Sequence, residues 1–262
     1  MMQEQILEAL RRGANDEALG LAHRAIETTP ESADLRYALS LALNANGDRA
    51  AAMTQIDAAI ERAPDEARFH LQRAGYLIRT RGIDAGIAAL ERAIALDPNL
   101  LPAYVMLGRL ALSRDDVEKA QRNAVLAARI NPEHPWVLAI EGDLALRRTE
   151  PDQALALLVR AGQLAPDDPQ VLHPLGLAYL AKGHLAFAEQ VFRNMLAAGG
   201  DGLQSRQLLA QVVHEQGRPL DALEVLRPAL EGESAADPAL LTQAAQLELV
   251  GGRPAGARGW FR

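Results

Sequence analysis

Apolar residues recur three and four positions apart along this chain, as in Leu35, Leu39 and Leu43 and again in Leu172, Leu175 and Tyr179. That spacing gives a helix one apolar face and predicts amphipathic helices. The pattern is interrupted on a fixed beat. Prolines stand at Pro30, Pro64, Pro98, Pro132 and Pro166, each 34 residues after the last. Two columns of small residues keep the same beat. One runs Ala18, Ala52, Gly86, Ala120, Ala154, Ala188, Ala222; the other runs Ala25, Ala59, Ala93, Ala127, Ala161, and continues through Met195 and Ala229. Gly13, Gly47, Gly183 and Gly217 are also in phase and mark the middle of their units, where the chain must turn. Each unit therefore reads as helix, turn, helix, turn. The proline closes the second helix because it has no N–H to continue the ladder.

A further column reads Ile6, Ser40, Ala74, Gly108, Gly142, Gly176, Ala210. A glycine inside a helix costs about 1 kcal/mol relative to alanine. Three in phase imply a shared cause, namely two helix backbones that approach closely there. Pro174 is expected in the early part of a first helix that begins near Pro169, where backbone N–H groups lack partners anyway.

With these landmarks the chain resembles the tetratricopeptide repeat family. The match is fullest in two stretches. One is Leu101 to Pro132, with Tyr104, Leu107, Gly108, Ala120 and Ala127; the other is Pro169 to Gly200, with Leu175, Gly176, Tyr179, Ala188 and Phe192. Departures are modest: the first unit lacks its opening residues, and Gly200 and Ser234 stand where prolines are expected. The resemblance implies an all-α fold, a right-handed α-α superhelix of about seven helix-turn-helix repeats over residues 1–236. Residues 237–262 would then supply a C-terminal capping helix and a partial eighth repeat. In the cap, Thr242, Gln243, Gln246 and Glu248 are expected to face water while Leu240, Leu241, Ala244, Ala245 and Leu247 cover the seventh unit. Trp260-Phe261-Arg262 reads as the opening of an unfinished helix, as in a fragment of a longer protein, or as a contact with another subunit.

Composition narrows the function. The 262 residues carry 27 basic and 34 acidic side chains, a net charge of −7. That balance argues against nucleic acid as a partner, since such binding rests on neutralising phosphates. The absence of cysteine excludes disulfides, thiolate metal sites and a cysteine nucleophile. The longest apolar stretch, Leu100 to Leu112, is broken by Arg109, so no membrane span is expected. The opening residues lack a signal core, which makes the cytoplasm the expected location. High alanine and almost exclusive use of arginine over lysine suggest a GC-rich bacterial source. His214-Glu215 has no second histidine four residues on, and Gly199-Gly200-Asp201-Gly202 lacks the lysine of a phosphate loop. Acid pairs such as Asp167-Asp168 fall at turns, where Asp caps helices. We expect neither catalysis, nor a metal, nor a cofactor.

The family resemblance further implies that first helices line a concave wall. Carried over position by position, that wall shows Tyr37, Asn44, Arg68, Leu71, Arg79, Val105, Arg109, Trp136, Asp143, Arg147 and His173. Arginines concentrate in its middle although the chain is acidic, and guanidinium groups pair with carboxylates in a fixed fork. The expected partner is a protein or peptide segment with acidic residues flanking apolar anchors. The contrasting expectation is that these arginines are ordinary solvated side chains with packed stems. Two other roles fit the sequence: a recognition arm for a transferase or hydroxylase lying beyond residue 262, and homo-oligomerisation through the solenoid ends. The lysine and asparagine clamp with which some family members grip chaperone tails is not matched by Gln3, Leu7, Tyr37 and Leu41.

Overall fold

The computed structural model describes residues 2–198, 202–232 and 236–252. These form fifteen helices: α1 (Met2–Arg11), α2 (Asn15–Thr28), α3 (Ala33–Ala45), α4 (Arg49–Arg62), α5 (Ala67–Thr80), α6 (Ile83–Leu96), α7 (Leu101–Ser113), α8 (Val117–Ile130), α9 (Pro135–Arg147), α10 (Pro151–Leu164), α11 (Pro169–Ala181), α12 (Leu185–Ala197), α13 (Leu203–Glu215), α14 (Pro219–Leu230) and α15 (Pro238–Val250). No strand occurs among the described residues. The chain divides into two compact units, the first ending at Ile130 and the second starting at Asn131. Within each, an odd-numbered helix packs on the even-numbered helix that follows it, and the hairpins stack in chain order. This is the helical-hairpin solenoid that the 34-residue beat predicts.

The beat has visible causes. Helices α2, α4, α6, α8 and α10 each end two residues before the phased proline. In the first unit a side chain from the next helix then ties down that proline's carbonyl. Arg36 Nε donates to Pro30 O at 3.1 Å, the His70 ring nitrogen lies 2.7 Å from Pro64 O, and the Tyr104 hydroxyl donates to Pro98 O at 3.1 Å. Three different residue types do one job because each reaches six residues back with an N–H or O–H.

The glycine column marks close helix approach, as the sequence implies. A Cβ on Gly142 would lie 2.4 Å from Leu158 Cγ, and one on Gly176 would lie 2.6 Å from the Phe192 ring. Leu158 and Phe192 are fully buried. Each sits sixteen residues after its glycine, where Ala210 faces the smaller Leu226. The mid-unit turn is less dependent on glycine than the sequence suggests. Asp115 and Thr149 hold the same step in the left-handed region, both at φ 59°. For a β-branched residue that conformation is strained.

Three local expectations are corrected. Pro174 is the sixth residue of α11, past the first turn, so its missing N–H removes a ladder bond that Gln170 O would otherwise accept. Glu248 in α15 does not face water: it is buried, and its Oε2 has no hydrogen-bond partner. Gln243 turns inward too and donates to Gln207 O at 3.2 Å, while Thr242 and Gln246 are exposed as expected. The Gly199-Gly200-Asp201 stretch, Ser234 and Trp260-Phe261 lie outside the described residues.

One step of the first helices carries a charge where packing favours leucine. Leu39, Leu107, Leu175 and Leu209 occupy it in α3, α7, α11 and α13. In α5 the residue is Arg73, which Asp57 holds at 2.6 Å. In α9 it is Glu141, whose carboxyl is pushed above the usual carboxylate range by burial.

Three outcomes follow for stability. Gly176→Ala should lower the urea midpoint, because overpacking against Phe192 costs about 1–3 kcal/mol and outweighs a helix-propensity gain of about 1 kcal/mol. Adding Phe192→Leu should restore most of the loss, since that pair reproduces Ala210 with Leu226; a purely additive double mutant would refute the close-approach account. Thr149→Gly should stabilise by about 1 kcal/mol in the same assay by relieving the left-handed turn. Glu141→Leu should raise the melting temperature at pH 7. Because the folded state raises this carboxyl's pKa, the stabilisation that comes from its proton is complete at acid pH and is lost as pH rises through the folded value. The mutant's advantage should therefore shrink on acidification, and a pH-independent gain would contradict the assignment.

Candidate functional site

Tyr37, Asn44, Arg68, Leu71, Arg79, Val105 and Arg109 belong to the first unit; Trp136, Asp143, Arg147 and His173 belong to the second. The residues from α3 and α5 are brought together. Tyr37 stacks on Phe69 with ring centroids 5.2 Å apart, and the Arg68 guanidinium lies 5.6 Å and 5.0 Å from those two rings. The Arg68 head also pairs with Asp34 and, at 3.2 Å, with Glu66. Burial pushes the Tyr37 hydroxyl's pKa up, opposed by the positive charge of Arg68. Arg68 is thus committed internally. Asp34 and Arg68 stand one repeat period apart, so they occupy the same step of neighbouring first helices. That signal was present in the sequence, because opposite charges at one step of adjacent repeats face each other.

Further along the same two helices, Arg79 Nη2 donates to Asn44 Oδ1 at 3.0 Å and the guanidinium lies 5.5 Å from the Tyr76 ring centre. Both partners are neutral, and Arg79 is exposed. Tyr76 itself is buried, and its hydroxyl donates to Ser40 O at 2.9 Å, which locks α5 against α3. Its pKa is raised by burial, against the lowering effect of its hydrogen bonds with Ser40 and Gln72 and of the Arg79 charge. Leu71 is half-buried and Arg109 is exposed on α7. Val105 is a correction: at 2 % exposure it is a core residue and offers no surface to a ligand. Its place on α7 is turned inward, in the buried face that also holds Tyr104, Gly108 and Leu112.

In the second unit the Trp136 indole N–H donates to Asp168 Oδ2 at 2.6 Å, and Asp168 Oδ1 caps α11 by accepting from Gln170 N at 2.8 Å. Trp136 is thereby part of the joint between successive repeats. Asp143 and Arg147 pair with each other at 3.4 Å, and His173 is half-buried. The sequence did not mark Phe69 and Tyr76 as the supports beside Arg68 and Arg79. Aromatic residues in a helix read equally well as core.

Charge along the first helices is asymmetric. Helices α5 and α7 hold Arg68, Arg73, Arg79 and Arg109 and contain no carboxylate. No group of three His, Asp or Glu side chains among the described residues is placed to hold a metal ion. No described helix is long and apolar enough to cross a membrane.

Against known proteins, the tetratricopeptide repeat family profile matches residues 9–74. No curated protein matches the sequence. Among solved structures, the chain is similar to the anaphase-promoting complex (APC/C) hetero-tetramer Cut9-Hcn1, with a TM-score of 0.82 at 16% identity over 92% of this chain and 48% of the other. It therefore spans about half the length of that relative. A thermophilic repeat protein of Thermus thermophilus aligns with a TM-score of 0.58 at 25% identity over 70% of this chain and 99% of its own. Yeast Tom70 aligns with a TM-score of 0.58 at 17% identity over 94% of this chain and 54% of its own. These likenesses concern the fold of the helical hairpins.

Proposed function

We propose that this chain, a tetratricopeptide repeat protein by its family match and its stacked hairpins, is an interaction scaffold that docks an acidic protein segment on the α3–α5 face of its first unit. The observation that carries the reading is Arg79. Its guanidinium is exposed and held in place by a neutral amide and an aromatic ring, so its positive charge is not spent on an internal carboxylate. A partner's carboxylate can take its remaining N–H donors without displacing an existing ion pair. The Arg68 cluster plays the opposite part. With Asp34 and Glu66 already bound to it, it leaves the half-buried Tyr37 ring, stacked on the fully buried Phe69, as a rigid apolar contact. An acidic residue about three helical turns from an apolar anchor fits this arrangement, since Arg68 and Arg79 are eleven residues apart on one helix and about 16 Å separate them at 1.5 Å per residue. The absence of any carboxylate from α5 and α7 supports the same partner chemistry. Scaffold use of the fold has a parallel in the Cut9-Hcn1 hetero-tetramer, which joins a protein of this fold to another chain.

The test is a peptide array of Asp- and Glu-rich segments with interspersed leucines, followed by calorimetry on the hits. Arg79→Glu/Arg109→Glu should weaken binding at least tenfold, in line with about 1.5–3 kcal/mol for a hydrogen bond to a charged group. Affinity should also fall as salt rises from about 50 to about 300 mM, because the contacts are at the surface. Hits that bind the double reversal as tightly as the parent chain would reject the docking face.

A further inference from the structure

The second unit holds an aromatic pair at a step that the other repeats leave polar or small. Phe187 is the third residue of α12, where the other second helices place Glu17, Ala51, Ala85, Lys119, Gln153 and Asp221. Its ring is 61% exposed, and no other phenylalanine, tyrosine or tryptophan among the described residues is exposed. It stacks on Tyr179 of α11, with ring centroids 5.2 Å apart and planes inclined by 21°. The His184 ring lies 6.3 Å from both and closes one edge of the pair.

The first unit shows what such a pair binds. There Tyr37 and Phe69 stack at the same 5.2 Å, inclined by 29°. The Arg68 guanidinium covers them, 5.6 Å and 5.0 Å from the two centroids, and Asp34 and Glu66 hold it in place. The attraction is that of a cation for the negative face of an aromatic ring. At Tyr179 and Phe187 the two rings are set in the same way, but no cation among the described residues lies over either of them.

The unspent charge beside this pair is negative. Lys182 Nζ reaches back to Asp152 Oδ1 at 2.7 Å, which brings the α11–α12 turn against the start of α10 and neutralises both groups. Arg148 has a partner of its own. Glu150, the residue before α10, is exposed, accepts no cap hydrogen bond and makes no ion pair among the described residues. It stands one period before His184, the residue before α12, and so occupies the same step of the neighbouring hairpin. Packed helices lie about 8–10 Å apart, within the combined reach of a glutamate and an arginine side chain.

We propose that the Tyr179–Phe187 pair is a second docking site, separate from the α3–α5 face, for an arginine in a basic segment of a partner protein. The guanidinium lies flat on the exposed face of Phe187, as Arg68 lies on the pair in the first unit, and Glu150 accepts its outward N–H donors. The Arg68 cluster is thereby reproduced with the cation supplied from outside. Arginine is preferred to lysine because its planar head stacks on a ring and still presents N–H donors at its edge.

The experiment is a nuclear magnetic resonance titration of the full chain at low salt that follows the Phe187 and Tyr179 ring protons. The probe is acetyl-Gly-Arg-Gly-amide, and its lysine and citrulline versions are the controls; citrulline keeps the planar head and removes the charge. Saturable shifts of both rings are expected with the arginine peptide, and binding at least about threefold weaker with citrulline, as a cation–ring attraction at an exposed site requires. Phe187→Gln restores the residue type of α10 and should fold; it should remove the Tyr179 shift. Glu150→Gln should weaken the arginine peptide by about twofold or more, as loss of an exposed ion pair does, and leave the citrulline peptide unchanged. Citrulline bound as tightly as arginine, lysine bound more tightly than arginine, a Tyr179 shift that survives Phe187→Gln, arginine binding indifferent to Glu150→Gln, or no saturable shift at millimolar peptide would overturn the site. Arg79→Glu should leave the titration unchanged, which separates this result from the docking face of the first unit.

Discussion

Two helices can pack as a tight antiparallel pair only if their backbones come close, and a side chain larger than a methyl group at the crossing point holds them apart. Everything else in this protein is arranged around that constraint. Each first helix from α3 to α13 carries glycine, alanine or serine at this step, and every following helix except α8, which has Ala124, places a large side chain sixteen residues on, such as Leu158 against Gly142 and Phe192 against Gly176. The glycines are costly as helix formers, and the buried area of Leu158 and Phe192 offsets that cost. Once one hairpin is fixed in this way, its neighbour must repeat the geometry to stack on it, which is why the spacing holds to the residue over most of the chain.

Electrostatics are then read across repeats and not along a helix. Asp34 and Arg68, one period apart, sit at one step of neighbouring first helices and meet, and further along the same two helices Arg79 meets the neutral amide of Asn44. Such exposed pairs contribute little to stability. Their consequence is selective, because each internal carboxylate removes one guanidinium from those available to a partner. The α3–α5 face therefore presents a closed cluster at Arg68 and an open cation at Arg79. In the second unit, Glu189 accepts from both Arg193 and Arg218 and so ties α12 to Arg218, the residue before α14.

Several features that the linear pattern left ambiguous depend on which way a residue turns. Val105 stands at a step that the repeat pattern assigns to the inner wall, yet it lies in the buried face of α7 and is core. Glu248 sits among residues that an amphipathic reading points to water, and the fold buries it. Asp115 and Thr149 carry no glycine-like signal, but the hairpin turn imposes the left-handed conformation on whichever residue occupies that step. In each case the backbone path, fixed by many contacts, overrules the preference of one side chain.

The amino-acid order alone determined the helical hairpin, its 34-residue length, the places where helices stop and the columns where they touch. Those features arise from local rules: apolar spacing, the missing proline N–H, and the room that a glycine leaves. The tertiary structure decided that Arg79 rests on a neutral amide and an aromatic ring and that Trp136 serves a joint between repeats. Those are contacts between residues far apart in the chain, and their outcome depends on distances and directions that a linear pattern does not contain.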